Sequence, residues 1–228
     1  MTLFRTVLLT SGLALALSSG AAQTQLSAQN TPASRAASKP TVTLQMPALP
    51  TPVPVTLNPK TTALLVFDYV EPICNSQPKC KGEMLPAMTA FMARVRKAGL
   101  VVAYGTLEEN VSKWLPEVAP KPGDIQIVNT AQDRFYNTDL DKALKAKGIT
   151  MIIMVGRKVS GSVAYSSVGA TVRGYTVVIP VDTTAAATDY EQVIGFYNIL
   201  NQRNGNMTNQ PLKPNAPTLS RTDMITFQ

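Results

Sequence analysis

Thr62-Ala63-Leu64-Leu65-Val66-Phe67-Asp68 is a short, almost continuous apolar run that ends on a carboxylate. A strand buried on both faces reads this way, because helices on both sides of a parallel sheet leave no solvent face for polar residues to alternate toward. A polar residue at its carboxyl end is also informative, since ligands of such sheets bind just outside the carboxyl ends of the strands. The fold then depends on whether helices and strands alternate downstream of Asp68.

They do. Glu83 to Ala98 carries apolar residues at helical spacing and stops at Gly99, a good helix terminator. Leu100 to Tyr104 reads as the next strand, and Ile125 to Val128 as a third, after the turn Lys121-Pro-Gly-Asp124. Thr138 to Lys147 has acids early, lysines late and Gly148 as its stop, which suits the helix dipole. Thr150 to Val155 is a strand ending at Gly156, Ser160 to Arg173 a helix rich in small residues, Tyr175 to Val181 a strand ending at Asp182, and Asp189 to Gln202 a helix. A short strand near Asp223 to Phe227 is expected to complete the sheet. The fold class is therefore α/β: a three-layer α/β/α, Rossmann-like domain with a doubly wound, mostly parallel sheet of about six strands.

Upstream, Met1-Thr-Leu-Phe-Arg5, an apolar run from Val7 to Leu17 and small residues from Ser18 to Ala22 have the layout of a secretory signal peptide over residues 1–22. Residues 23–54 are rich in Ala, Ser, Thr, Gln and Pro and lack acids, so they read as a disordered linker. The folded domain is expected over 55–228 and the mature protein in the periplasm or outside the cell, with no membrane contact after signal cleavage. The net charge of +7 includes Arg5, Arg35 and Lys39 with no acids beside them, which leaves +4 for the domain. Basic runs interleaved with aromatics are absent, so nucleic acid is not an expected partner.

Cys74 and Cys80 are the two cysteines, and in an oxidising compartment a disulfide between them is expected. The alternative makes Cys74 a nucleophile near Asp68. No histidine occurs anywhere, which removes His-based triads and the usual zinc sites and leaves an acidic cluster as the sole metal option. No metal and no cofactor is expected.

Three groups of residues, in order and at matching spacing, resemble the isochorismatase-like, or cysteine hydrolase, superfamily over about Pro54 to Tyr190. They are Thr62 to Asp68; Pro122-Gly-Asp followed by Phe135-Tyr-Asn-Thr138-Asp-Leu140; and Gly156 followed by Ser162-Val163 and Gly174-Tyr175. The resemblance implies a hydrolase with an Asp after the first strand, a Lys after the third and a Cys at the start of the helix after the fourth. Asp68 matches the first, but Asn129 stands at the Lys position and Ser162 at the Cys position. A serine hydroxyl ionises several units above a thiol, and each unit is worth about 1.4 kcal/mol. Members that act on the vinyl ether of isochorismate without the Cys keep both Asp and Lys, and the nicotinamidase branch uses metal-binding histidines. This chain fits neither branch.

The candidate catalytic set is Asp68, Ser162, Asn129 and Lys158, and the candidate ligand-binding set is Arg157, Lys158 and Glu108. Each also has a purely structural explanation. Ser162 suits a tightly packed helix start, Asp68 a strand-to-loop turn, and Glu108-Glu109 a solvated loop end. Arg157 and Lys158 precede a helix amino terminus and oppose its dipole; they either face solvent, pair with Asp68, or hold an anion. Two functions are compatible with these residues. One is a hydrolase of small amides, esters or vinyl ethers, with Asp68 as base, Lys158 as a relocated cation and Ser162 as nucleophile or hydroxyl donor. The other is a non-catalytic relative that binds a small anionic molecule or a protein partner. The sequence favours the second, because two departures are harder to compensate than one. A homodimer is the assembly expected from similar proteins.

Overall fold

The computed structural model describes residues 43, 45, 48–77 and 79–228. The expected signal peptide, and most of the expected linker, lie outside the described residues. In chain order the strands are β1 (Val55–Leu57), β2 (Thr62–Phe67), β3 (Val101–Thr106), β4 (Ile125–Val128), β5 (Met151–Arg157), β6 (Thr176–Pro180), β7 (Thr184–Ala185), β8 (Pro217–Ser220) and β9 (Ile225–Phe227). The α-helices are α1 (Glu71–Asn75), α2 (Leu85–Ala98), α3 (Leu140–Ala146), α4 (Ala164–Thr171) and α5 (Asp189–Leu200).

The main sheet has the order β4-β3-β2-β5-β6-β8, with β7 paired to the end of β5, and every pairing in it is parallel. From β2 the chain winds outward through β3 and β4, then returns to β5 and winds the other way through β6 and β8. The switch point therefore lies between β2 and β5, which is where such sheets bind ligands.

The β2 run is buried throughout, and its side chains divide between two cores. Leu64 and Val66 pack with Val102, Ile153 and Val155 against Met88, Phe91, Met92 and Val95. Ala63, Leu65 and Phe67 pack with Ile152 and Met154 against Leu140, Leu144, Phe196, Ile199 and Leu200. Strand alternation thus persists inside a run with no polar face, because both faces meet helices.

Four features differ from the sequence expectation. The main sheet is completed by β8, whereas the segment near Asp223–Phe227 forms β9, which pairs with β1 in a separate two-stranded sheet. The helix expected from Ser160 opens instead with a π-turn over Val159–Val163, broken at Gly161, before α4 begins at Ala164. A second π-turn, Cys80–Met84, precedes α2. Packing also begins ahead of Val55: the Val53 N–H donates to the Leu219 carbonyl at 3.1 Å, and Asn209 donates to the Thr51 carbonyl at 2.9 Å.

Candidate active site

Asp68 is the first residue beyond β2, and its φ of +56° is a left-handed conformation that side-chain-bearing residues seldom adopt. Asp tolerates it better than most, at about 1 kcal/mol, and strained backbone of this kind concentrates at functional sites. The turn aims the carboxylate into the switch-point crevice, where it is 6% exposed.

Four donor contacts from three side chains hold it there. Thr106 at the end of β3 donates to Oδ1 at 2.9 Å. Arg134 donates from Nη2 to Oδ2 at 3.1 Å and to Oδ1 at 3.4 Å. Ser162 donates its hydroxyl proton to Oδ2 at 3.2 Å. Arg134 Nη2 also donates to Ser162 Oγ at 3.3 Å, so carboxylate, guanidinium and hydroxyl form a closed triangle. Burial pushes the Asp68 pKa above its ordinary 3.8, and the neighbouring Arg134 charge, followed by the hydrogen bonds, pulls the other way.

Arg134 is the residue that sequence reasoning missed. It is 2% exposed and forms a buried ion pair with Asp68. Asn129, at the position of the family's lysine, holds it in place: its side-chain oxygen accepts from Arg134 Nη1 at 2.8 Å and its backbone carbonyl at 3.0 Å. Asn129 thus reaches Asp68 only through Arg134. Gly105, inside β3, makes room for the Arg134 side chain. A Cβ there would come within 3.2 Å of the Arg134 side-chain stem, and a glycine in a strand interior often marks such a close approach.

Lys158 lines the crevice without pairing with Asp68. Its ammonium pairs with Glu191 on α5, which also accepts from the Ser160 hydroxyl at 3.0 Å. Of the alternatives open for Lys158, pairing with Asp68 is not formed; the carboxylate pairs with Arg134. Glu108 follows β3, is solvent-exposed and is not among the residues that line the crevice. Arg157, the last residue of β5, does line it; the peptide bond between Arg157 and Lys158 is cis.

The crevice encloses about 230 Å³ and is lined by Asp68, Arg134, Arg157, Lys158, Ser162 and, on the apolar side, Ile73 and Leu107. Ile73 comes from α1, which begins the loop closed by the disulfide between Cys74 and Cys80, whose Cα atoms are 5.1 Å apart. That bridge removes Cys74 as a nucleophile. A larger cavity of about 450 Å³ lies between Leu49–Pro52 and α5, but among its lining residues only Asp189 titrates, and Asp189 pairs with Lys79. The buried Asp68–Arg134 pair and Ser162 belong to the smaller one.

Residues 62–210 match the model of the isochorismatase domain family. Among curated proteins the chain is similar to the ureidoacrylate amidohydrolase RutB of Caulobacter segnis, 25% identical, with 68% of this chain and 85% of that protein covered. Its similarity to the RutB of Agrobacterium fabrum is more local, 33% identical across 31% of this chain and 29% of that protein. Among solved structures, an isochorismatase from Pseudomonas putida KT2440 has a TM-score of 0.61 at 15% identity, covering 75% of this chain and 93% of that one. The N-carbamoylsarcosine amidase of Thermoplasma acidophilum has a TM-score of 0.57 at 21% identity, covering 72% and 97%.

Proposed function

Since this chain belongs to the isochorismatase family, we propose that it is a hydrolase of small amides or esters in which Ser162 is the nucleophile, Asp68 the base and Arg134 the fixed cation. The observation that carries this is the triangle of Asp68, Arg134 and Ser162, three buried polar side chains from three segments converging on one small crevice. Burying a charged pair costs more desolvation than its attraction returns unless the geometry is good, so such a pair is weak evidence for stability and better evidence for a site. Two of the chain's relatives are amide-cleaving enzymes by name, which agrees with an acyl-transfer site.

The chemical step uses the contacts already in place. Ser162 Oγ attacks the carbonyl carbon and forms a C–O bond while its proton moves along the existing hydrogen bond to Asp68. Collapse breaks the bond to the amine or alcohol, which takes that proton as it leaves. Water then attacks the acyl carbon as its proton passes to Asp68, and the bond to Oγ breaks, with that proton returning to Oγ and the acid released. Arg134, touching both Oγ and the carboxylate, keeps a permanent positive charge beside the developing oxyanion. A guanidinium has donors only and does not relay a proton, so its part is electrostatic.

That same permanence favours a second reading, in which a locked Asp68–Arg134 pair only binds a small anionic ligand. Turnover separates the two. Wild type should hydrolyse members of a panel of short-chain amides and esters, Ser162→Ala and Asp68→Asn should each lower kcat by about 100-fold or more, and Ser162→Cys should raise it, because a thiol ionises near pH 8.5. No turnover by wild type would leave the binding reading. The proposal includes export, which the Cys74–Cys80 bridge supports, since disulfides persist in oxidising compartments.

A further inference from the structure

Three cations line the crevice, and two of them are already matched. Arg134 pairs with Asp68, and Lys158 pairs with Glu191. Arg157 is left over: among the described residues no carboxylate pairs with its guanidinium, and its Nε is buried without a hydrogen-bond partner. The nearby Asp68 carboxylate is engaged by Thr106, Arg134 and Ser162. The crevice is therefore one negative charge short, and the unmatched group is a planar fork suited to a carboxylate.

We propose that the substrate carries a carboxylate and that Arg157 selects it, an inference that rests on the hydrolase reading of the same crevice. Arg157 ends β5 directly after Gly156, which the sheet fixes, so the guanidinium is carried by a rigid element. Gly156 is required there: it has φ +126°, and a Cβ would lie 2.0 Å from the Phe67 carbonyl oxygen. At about 230 Å³ the crevice is below the usual size of drug-binding pockets, so carboxylate and scissile carbonyl must be separated by only a few bonds. Burial pushes the Arg157 pKa down, while Asp68 opposes that shift. An incoming carboxylate would supply the pairing that burial denies it.

The test uses three short acid amides, malonamate, succinamate and glutaramate, each beside the uncharged methyl ketone of the same shape: acetoacetamide, 4-oxopentanamide and 5-oxohexanamide. Binding is measured by calorimetry on Ser162→Ala, so that it is read without turnover, and hydrolysis is measured on wild type by ammonia release. At least one acid should bind more tightly than its ketone by about tenfold or more, the range expected for a charge-assisted pair. Arg157→Gln, introduced beside Ser162→Ala, should remove that preference while leaving ketone binding in place. Arg157→Lys, which keeps the charge and loses the fork, should reduce the preference several-fold, and it serves alone if the Gln variant does not fold. Equal affinity for acid and ketone, no measurable acid binding, or a preference untouched by either Arg157 substitution would overturn the assignment. A preference lost in Arg157→Gln with no turnover in wild type would instead retain the carboxylate site and remove the hydrolase reading.

Discussion

Arg134 does two things at once in the crevice: it neutralises Asp68, and it touches the hydroxyl that Asp68 would deprotonate. Removing it should show in both stability and pH dependence. Arg134→Met leaves a buried carboxylate without its partner, which should lower stability by about 3–5 kcal/mol. The same pair sets the sign of the pH effect. A base must be unprotonated, so kcat/KM should fall as pH drops through the Asp68 pKa, which burial places above 3.8. Arg134 lowers that pKa, so Arg134→Met should move the acidic limb to higher pH, as a pH–rate profile would record; an unmoved limb would mean that another group is the base. Asp68 and Ser162 were legible in the sequence because each sits at a fixed offset from an apolar strand or a glycine. Arg134 was not, because it arrives from the irregular segment between β4 and α3, where spacing says nothing about side-chain direction. The pairing of Lys158 was not legible either, because its partner Glu191 lies on α5, far along the chain.

At the scale of elements, the ends of β2 and β5 have to approach closely for Asp68 and Ser162 to meet, and glycine permits it. Phe67 is paired to Gly105 on one side and Gly156 on the other. Gly156→Ala should therefore separate the two strand ends and destabilise the protein by about 3 kcal/mol or more, because a positive φ and a backbone collision coincide there. Gly82→Ala, where an added Cβ meets nothing within 4 Å, should stay within about 1 kcal/mol. Thermal or denaturant unfolding of the two variants measures the contrast, and equal effects would refute the role given to Gly156. The central strands were readable from sequence because burial on both faces leaves a continuous apolar run. β8 was not, since it is four residues long, opens on Pro217 and comes after a loop dense in Pro and Asn. Pro at the first position of a strand is tolerated, as no ladder donor is lost there. The Ile225–Phe227 segment looked like the better strand and pairs with β1 instead.

For the molecule as a whole, the winding order β4-β3-β2-β5-β6-β8 creates one switch point, and the residues with chemical capacity collect there. That much was implied by an alternating pattern of strands and helices, together with Asp68 at the end of the first long strand. What the pattern could not convey was whether the departures at Asn129 and Ser162 end the chemistry or rebuild it. In the structure Asn129 grips Arg134, and Arg134 returns a positive charge to Asp68, so one of the two departures is compensated and the weight moves from binder to hydrolase. The remaining departure, serine for cysteine, decides whether the crevice is a working hydrolase site. It is tested by intact-mass and peptide-mapping mass spectrometry of wild type and Ser162→Ala after incubation with p-nitrophenyl acetate. One acetyl group is expected on Ser162 of the wild type, building up before the acyl-serine is hydrolysed, and none at that position in the variant. An unmodified Ser162 in protein that releases nitrophenol, or equal release by Ser162→Ala, would show that the serine is not the nucleophile.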